Sequence, residues 1–95
     1  MVREMAKENV YDEWLRWVRE TKYVIESKYR DLIGTVFYTF YRHLMHMEEM
    51  LTLTGITPSV FADMVLSMDA AMKTYLKHYN LPPIPQSLLE YARSV

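Results

Sequence analysis

The 95-residue sequence contains no cysteine, only two glycines and four prolines, and few side-chain amides. Without cysteine the chain has no disulfide, no thiolate metal site and no cysteine nucleophile. The two glycines, Gly34 and Gly55, lie too far apart in the sequence to form a glycine-rich phosphate loop. The scarcity of Asn and Gln, together with the missing cysteine, hints at a heat-adapted source, whereas eight methionines point the other way.

Neither sign of charge dominates, because the sequence has 11 Lys and Arg residues and 12 Asp and Glu residues, for a net charge of −1. This balance and the 51% hydrophobic content exclude a disordered tail and a strongly basic nucleic-acid binder, and they predict one folded domain over residues 1–95. The longest uncharged apolar run, 32–41, is about half the length of a membrane span. Charged residues follow Met1 where a secretory signal would be apolar. We expect a cytoplasmic protein without a membrane span.

Apolar residues recur with helical spacing along nearly the whole chain, which predicts an all-α fold of three long helices plus a short C-terminal helix. The predicted helices span about 9–33, 35–54, 58–79 and 88–94. Apolar positions of the first helix follow a heptad pattern with one lysine in it: Tyr11, Leu15, Val18, Lys22, Ile25, Tyr29, Leu32 and Val36. The third helix repeats the pattern with Phe61, Met68 and Tyr75.

Capping residues set the predicted ends of these helices. Asn9 is predicted to start the first helix, Thr57 followed by Pro58 the third, and Ser87 the last through a capping box with Glu90. Gly55 predicts the end of the second helix, and Asn80 before two prolines the end of the third. Gly34 is compatible with either a bend or a break.

The segment 36–53 is apolar on nearly every side, and such a helix must be buried all round. A helix over 9–33 would also be about 37 Å long, which exceeds the roughly 32 Å diameter of a compact domain of this size. We therefore predict that a second copy completes the bundle, with a dimer favoured. The predicted intersubunit contacts are Tyr38, Tyr41, Met45, Phe37 and Leu44.

A basic stretch on the first helix offers an alternative function. Cations beside an aromatic ring can hold phosphates and stack a base. The predicted nucleic-acid contacts are Arg16, Arg19, Lys22, Tyr23 and Arg30. The competing interpretation is a solvated helix face with ordinary pairs between neighbouring turns.

A second alternative centres on His43 and His46. With Glu49 they fall along one side of a helix, and a zinc ion held there would need a further ligand from another helix or subunit. Arg42 and His46, with three residues between them, also resemble the Arg-to-His motif of small helical ribonucleases of the HEPN type, in which four to six residues intervene. That resemblance implies a ribonuclease site at these two residues.

The remaining residues give no pattern typical of catalysis. The serines lie in no recognisable nucleophile context, and the methionines have the spacing of core or interface residues. The sequence therefore predicts a non-enzymatic protein–protein assembly module that needs no cofactor and binds no evident small-molecule substrate.

Overall fold

A computed structural model describes residues 2–53 and 56–95, and 76% of the chain is helical. Four α-helices follow one another: α1 (Val2–Lys28), α2 (Tyr38–Leu53), α3 (Pro58–Thr74) and α4 (Gln86–Ser94). A short 3-10 turn, Arg30–Leu32, lies between α1 and α2. The described ranges contain no strand, so the predicted all-α helical bundle is confirmed.

Helix α1 begins earlier and ends earlier than the predicted span of 9–33. Asn9 lies within the helix and is not its N-cap. Val18 and Ile25, which belong to the predicted heptad pattern, are fully buried along the inner face, and so is Trp14, which lies outside that pattern. At 27 residues α1 is about 40 Å long, which matches the 45 Å long dimension of the molecule. An elongated bundle thus accommodates the helix, and its length alone does not require a partner.

The connection around Gly34 is a break over several residues and not a bend. Turns occupy residues 33–37, held by the Leu32 carbonyl, which accepts from the backbone N–H of Thr35 at 3.1 Å and of Phe37 at 3.0 Å. Phe37 is fully buried and stacks on Tyr29 with ring centroids 5.3 Å apart. Helix α2 therefore starts at Tyr38 and not at residue 35, and Val36, predicted for the packed seam, is exposed. The predicted end at residue 54 and the stop at Gly55 lie outside the described residues.

Helix α3 begins as predicted but ends five residues early. The Thr57 Oγ1 accepts a hydrogen bond from the Val60 N–H at 3.2 Å, with Pro58 in the first helical position. Residues 75–79 form turns in place of the predicted last helical turn, so Tyr75 leaves the seam and is 77% exposed. Asn80 is not a helix cap; its backbone N–H donates to the Tyr29 hydroxyl at 2.9 Å.

Helix α4 starts two residues before the predicted span and covers the core, because Leu88, Leu89 and Ala92 are buried. The predicted capping box is wrong. Pro85 occupies the N-cap position, and the Ser87 hydroxyl donates to Glu13 Oε1 of α1 at 3.1 Å.

An aromatic cluster forms the centre of the bundle where α1, α3 and α4 meet. Phe61 is fully buried, with ring centroids 4.7 Å from Tyr11, 6.3 Å from Trp14 and 5.6 Å from Tyr91. The Trp17 indole N–H donates to the Pro82 carbonyl at 2.9 Å, which fastens the extended segment before α4 to α1.

Candidate interaction surface on helix α2

Helix α2 is attached to α1 by polar contacts beside the core. Glu48 accepts from Arg19 Nε at 2.8 Å and from Lys22 Nζ at 2.6 Å. These hydrogen bonds hold the pKa of the Glu48 carboxyl below its usual value. Lys22 is the one lysine in the predicted heptad seam, and the contact explains its place: it lies at the border between the two helices.

A second polar contact joins the same two helices farther along. The Tyr41 hydroxyl donates to the Glu26 carboxylate, and this hydrogen bond raises the pKa of Tyr41 to about 12. Tyr41 is partly buried by the contact. The side of α2 that faces α1 is therefore already occupied within one chain.

The outward side of α2 carries a mixed row of apolar and charged side chains. Tyr38, Arg42, Met45 and Glu49, which we call the α2 stripe, follow one another at steps of four, three and four residues and are all exposed. Such steps place the four side chains on one line along a helix. Tyr38 and Met45 are 50% and 48% exposed.

Arg42 is positioned by its neighbour in the stripe. Its Nη1 donates to the Tyr38 hydroxyl at 3.1 Å, and its guanidinium carbon lies 5.6 Å from the centre of the Tyr38 ring. A cation over an aromatic face is a weak but favourable contact. It holds the guanidinium above the stripe, where the other N–H groups of this side chain can bind an acceptor.

A shallow groove separates α2 from α3 next to the stripe. It consists of two hollows of about 440 and 280 Å³ that share His43. The larger hollow is bordered by Val36 and Tyr75, and the smaller by Val60. Each of these three apolar side chains is exposed, so the groove is lined by surface that water contacts.

The structure divides the five predicted intersubunit contacts into two groups. Phe37 and Leu44 are fully buried in the core of their own chain, which leaves them no surface for a partner. Tyr38 and Met45 are exposed, and Tyr41 is partly buried against α1. The expectation that residues 36–53 are buried on all sides within a bundle does not hold for a single chain, because the stripe remains open to solvent.

The predicted nucleic-acid contacts are only partly available. Arg16, Tyr23 and Arg30 are exposed. Arg19 and Lys22 both bind Glu48 of α2, so Lys22 does not form the predicted pair with its neighbour on α1. The negative charge of Glu48 thus offsets part of the basic stretch.

His43, His46 and Glu49 are all exposed on α2. Among the described residues no group of three or more His, Asp or Glu side chains is placed to hold a metal ion. Arg42 and His46 line one hollow of about 270 Å³ together with Tyr38 and Thr39. Arg42 binds the Tyr38 hydroxyl there, and the described residues that line this hollow include no carboxylate.

Sequence reasoning missed the roles of Glu48 and Tyr75. The pairing of Glu48 with α1 joins residues far apart in the chain, so no local spacing reveals it. The exposure of Tyr75 follows from the early end of α3, and no helix-breaking residue between Thr74 and Asn80 signals that end in the sequence.

Comparisons of the chain with protein-family models, curated proteins and solved structures found no match. Within the described ranges no helix combines the length and the apolar character needed to cross a membrane.

Proposed function

We propose that the protein is a small non-enzymatic assembly module that associates with itself through the outward surface of α2. One observation carries this proposal. Within residues 10–52 and 56–95, where side-chain exposure is described, seven large apolar side chains are exposed, and five of them lie on the α2 stripe or border the adjoining groove: Val36, Tyr38, Met45, Val60 and Tyr75. Clustered apolar surface of this kind marks interaction sites, whereas isolated exposed residues do not.

The size of this exposed apolar surface determines the affinity that we expect for self-association. Covering a half-exposed Tyr38 or Met45 contributes roughly 1–2 kcal/mol. Association costs about 4–15 kcal/mol in lost freedom of motion, so several such side chains must be covered together. A surface one helix long falls at the small end of specific interfaces, and we expect a dissociation constant in the micromolar range.

The test is the molar mass in solution, measured by sedimentation equilibrium over protein concentrations from about 1 µM to about 1 mM, the range that brackets such an affinity. The wild type is expected to shift from monomer to dimer over this range. A variant with Tyr38→Lys and Met45→Lys is expected to stay monomeric. Its control, Tyr23→Lys with Ser27→Lys, adds the same charge to the exposed face of α1 and is expected to dimerise normally. A wild type that is monomeric throughout would refute the proposal.

Nucleic-acid contact is the second candidate, supported by the exposure of Arg16, Tyr23 and Arg30. It is the weaker of the two, because Glu48 offsets Arg19 and Lys22. Phosphate contacts release counterions, so such binding must weaken as salt is raised. Arg16→Glu with Arg30→Glu is expected to abolish a salt-sensitive mobility shift of a labelled oligonucleotide, with the circular dichroism unchanged. An unaltered shift in this variant argues against the candidate.

A further inference from the structure

The α2 stripe carries one positive and one negative charge, on opposite sides of Met45 along the helix. Arg42 lies on the N-terminal side of Met45 and Glu49 on the C-terminal side. Both side chains are exposed, and within the part of the chain that the structure describes neither takes part in a salt bridge. Glu48, the neighbouring acid, is already bound by Arg19 and Lys22. The stripe thus presents one cation and one anion that form no salt bridge with another described residue of the same chain, and Glu49 borders a hollow that Arg19 and Lys22 also line.

This arrangement matches a second copy of itself only in one orientation. We propose that the α2 helices of two copies pack antiparallel about a two-fold axis that passes beside Met45. The proposal rests on the function proposed above and specifies its partner and geometry. It follows from position along the helix: Arg42 and Glu49 are seven residues apart, about 10.5 Å, and an axis midway between them brings each Arg42 level with the partner's Glu49.

The same axis places the apolar members of the stripe against suitable surface. The two copies of Met45 lie within about 1 Å of the axis along the helix direction. Tyr38 meets the end of the partner helix near the level of the partner's Thr52, which is also exposed. Packed helices approach to about 8–10 Å between axes, a separation that arginine and glutamate side chains span.

The same two charges disfavour a parallel pair of α2 helices. It would place Arg42 against the partner's Arg42 and Glu49 against the partner's Glu49, two like-charge contacts in place of two attractive ones. Charge pairs at the edges of helix pairs set partner orientation in this way. The antiparallel pair is therefore the arrangement in which every charge of the stripe meets its opposite.

Charge reversal tests the orientation. Arg42→Glu sets two carboxylates against each other at both symmetric sites, and Glu49→Arg sets two guanidinium groups there. With each site changing the affinity about fivefold, either single reversal is expected to raise the dimer dissociation constant about 25-fold. The double variant, Arg42→Glu with Glu49→Arg, restores opposite charges at both sites and is expected to dimerise as the wild type does. In a parallel pair the number of like-charge contacts stays the same in all four proteins.

Sedimentation equilibrium of the four proteins at low salt gives the result, with circular dichroism to confirm that each is folded. Arg16→Glu is the control, because it changes the net charge as Arg42→Glu does but lies on α1 away from the stripe. A wild-type dimer weakened by each single reversal and restored by the double one supports the antiparallel pair. A wild-type dimer that the single reversals leave intact, or that the double variant fails to restore, overturns it while self-association stands. A monomeric wild type overturns both proposals.

Discussion

Thr21 is the one buried polar residue among the core positions that the structure describes, and it predicts an unusual stabilising substitution. Its side chain is fully buried in α1, and its Oγ1 has no hydrogen-bond partner among the described residues. A buried polar group without a partner costs about 1–3 kcal/mol. Thr21→Val replaces the hydroxyl by a methyl group of the same shape, and threonine and valine have similar helix propensities. We expect the free energy of unfolding to rise by about 1 kcal/mol.

Urea denaturation followed by circular dichroism measures this change. With a slope of about 1 kcal/mol per molar urea for a chain of this size, the midpoint should rise by roughly 1 M without a change in slope. The matched control is Thr74→Val, because Thr74 is exposed at the end of α3 and its substitution should move the midpoint little. A Thr21→Val protein that is less stable than the wild type would refute the reasoning, since it would mean that the hydroxyl is satisfied in solution.

Three further predictions concern the polar contacts and the core. Glu48→Gln should cost about 1 kcal/mol at neutral pH, measured by urea titration at several pH values. Because folding lowers the pKa of Glu48, the difference from wild type should begin to shrink near the ordinary value of 4.5 and disappear only below the lowered pKa. Tyrosine absorbance should show one group ionising at a pH of about 12, because the hydrogen bond to Glu26 favours the protonated phenol of Tyr41. This step should be absent from Tyr41→Phe, and a wild type without it would contradict the contact. Phe61→Ala should lose about 3–5 kcal/mol and Tyr75→Ala almost nothing in thermal or urea unfolding, because the first ring fills the core and the second is exposed; equal losses would contradict the packing.

The helical class and the inner faces of the helices could be read from the sequence, because both depend on local spacing. Val18, Ile25, Phe61 and Met68 repeat at intervals that only a helix brings to one side, and all four are buried. The start of α3 could also be predicted from the local sequence, because the Thr57 side chain caps the first turn and Pro58 fits the first helical position.

The ends of the helices depend on contacts that no local pattern contains. The chain leaves α1 after Lys28, and this allows Phe37 to reach Tyr29 and Tyr79 in the core. Val36 continues the heptad spacing but no longer the helix, and the pattern therefore assigned it to a seam that had already ended. The prediction that α3 continues to residue 79 was wrong for the same reason, because the apolar spacing continues through Tyr75 although the helix ends at Thr74.

The candidate surface was predictable in its apolar members but not in its geometry. Tyr38 and Met45 drew attention because residues 36–53 carry more apolar side chains than one helix face can hold. Which side remains open depends on where α1 attaches, and that is set by Glu48 and Tyr41 through partners on another helix. Only with this side assigned do Arg42 and Glu49 stand out as exposed charges that form no salt bridge with the described residues.

The hydrogen bond between Trp17 and Pro82 has a consequence for how the chain folds during synthesis. The two residues are 65 positions apart, and at about 5–20 residues per second a ribosome needs roughly 3–13 s to add them. Through this interval the aromatic face of α1 has neither the extended segment nor α4 to cover it. The side of α1 that these later segments cover, Trp17 included, therefore lacks its cover for seconds, and we expect chaperones that bind aromatic helix faces to engage α1 until Leu88 and Ala92 have been synthesised and close the bundle.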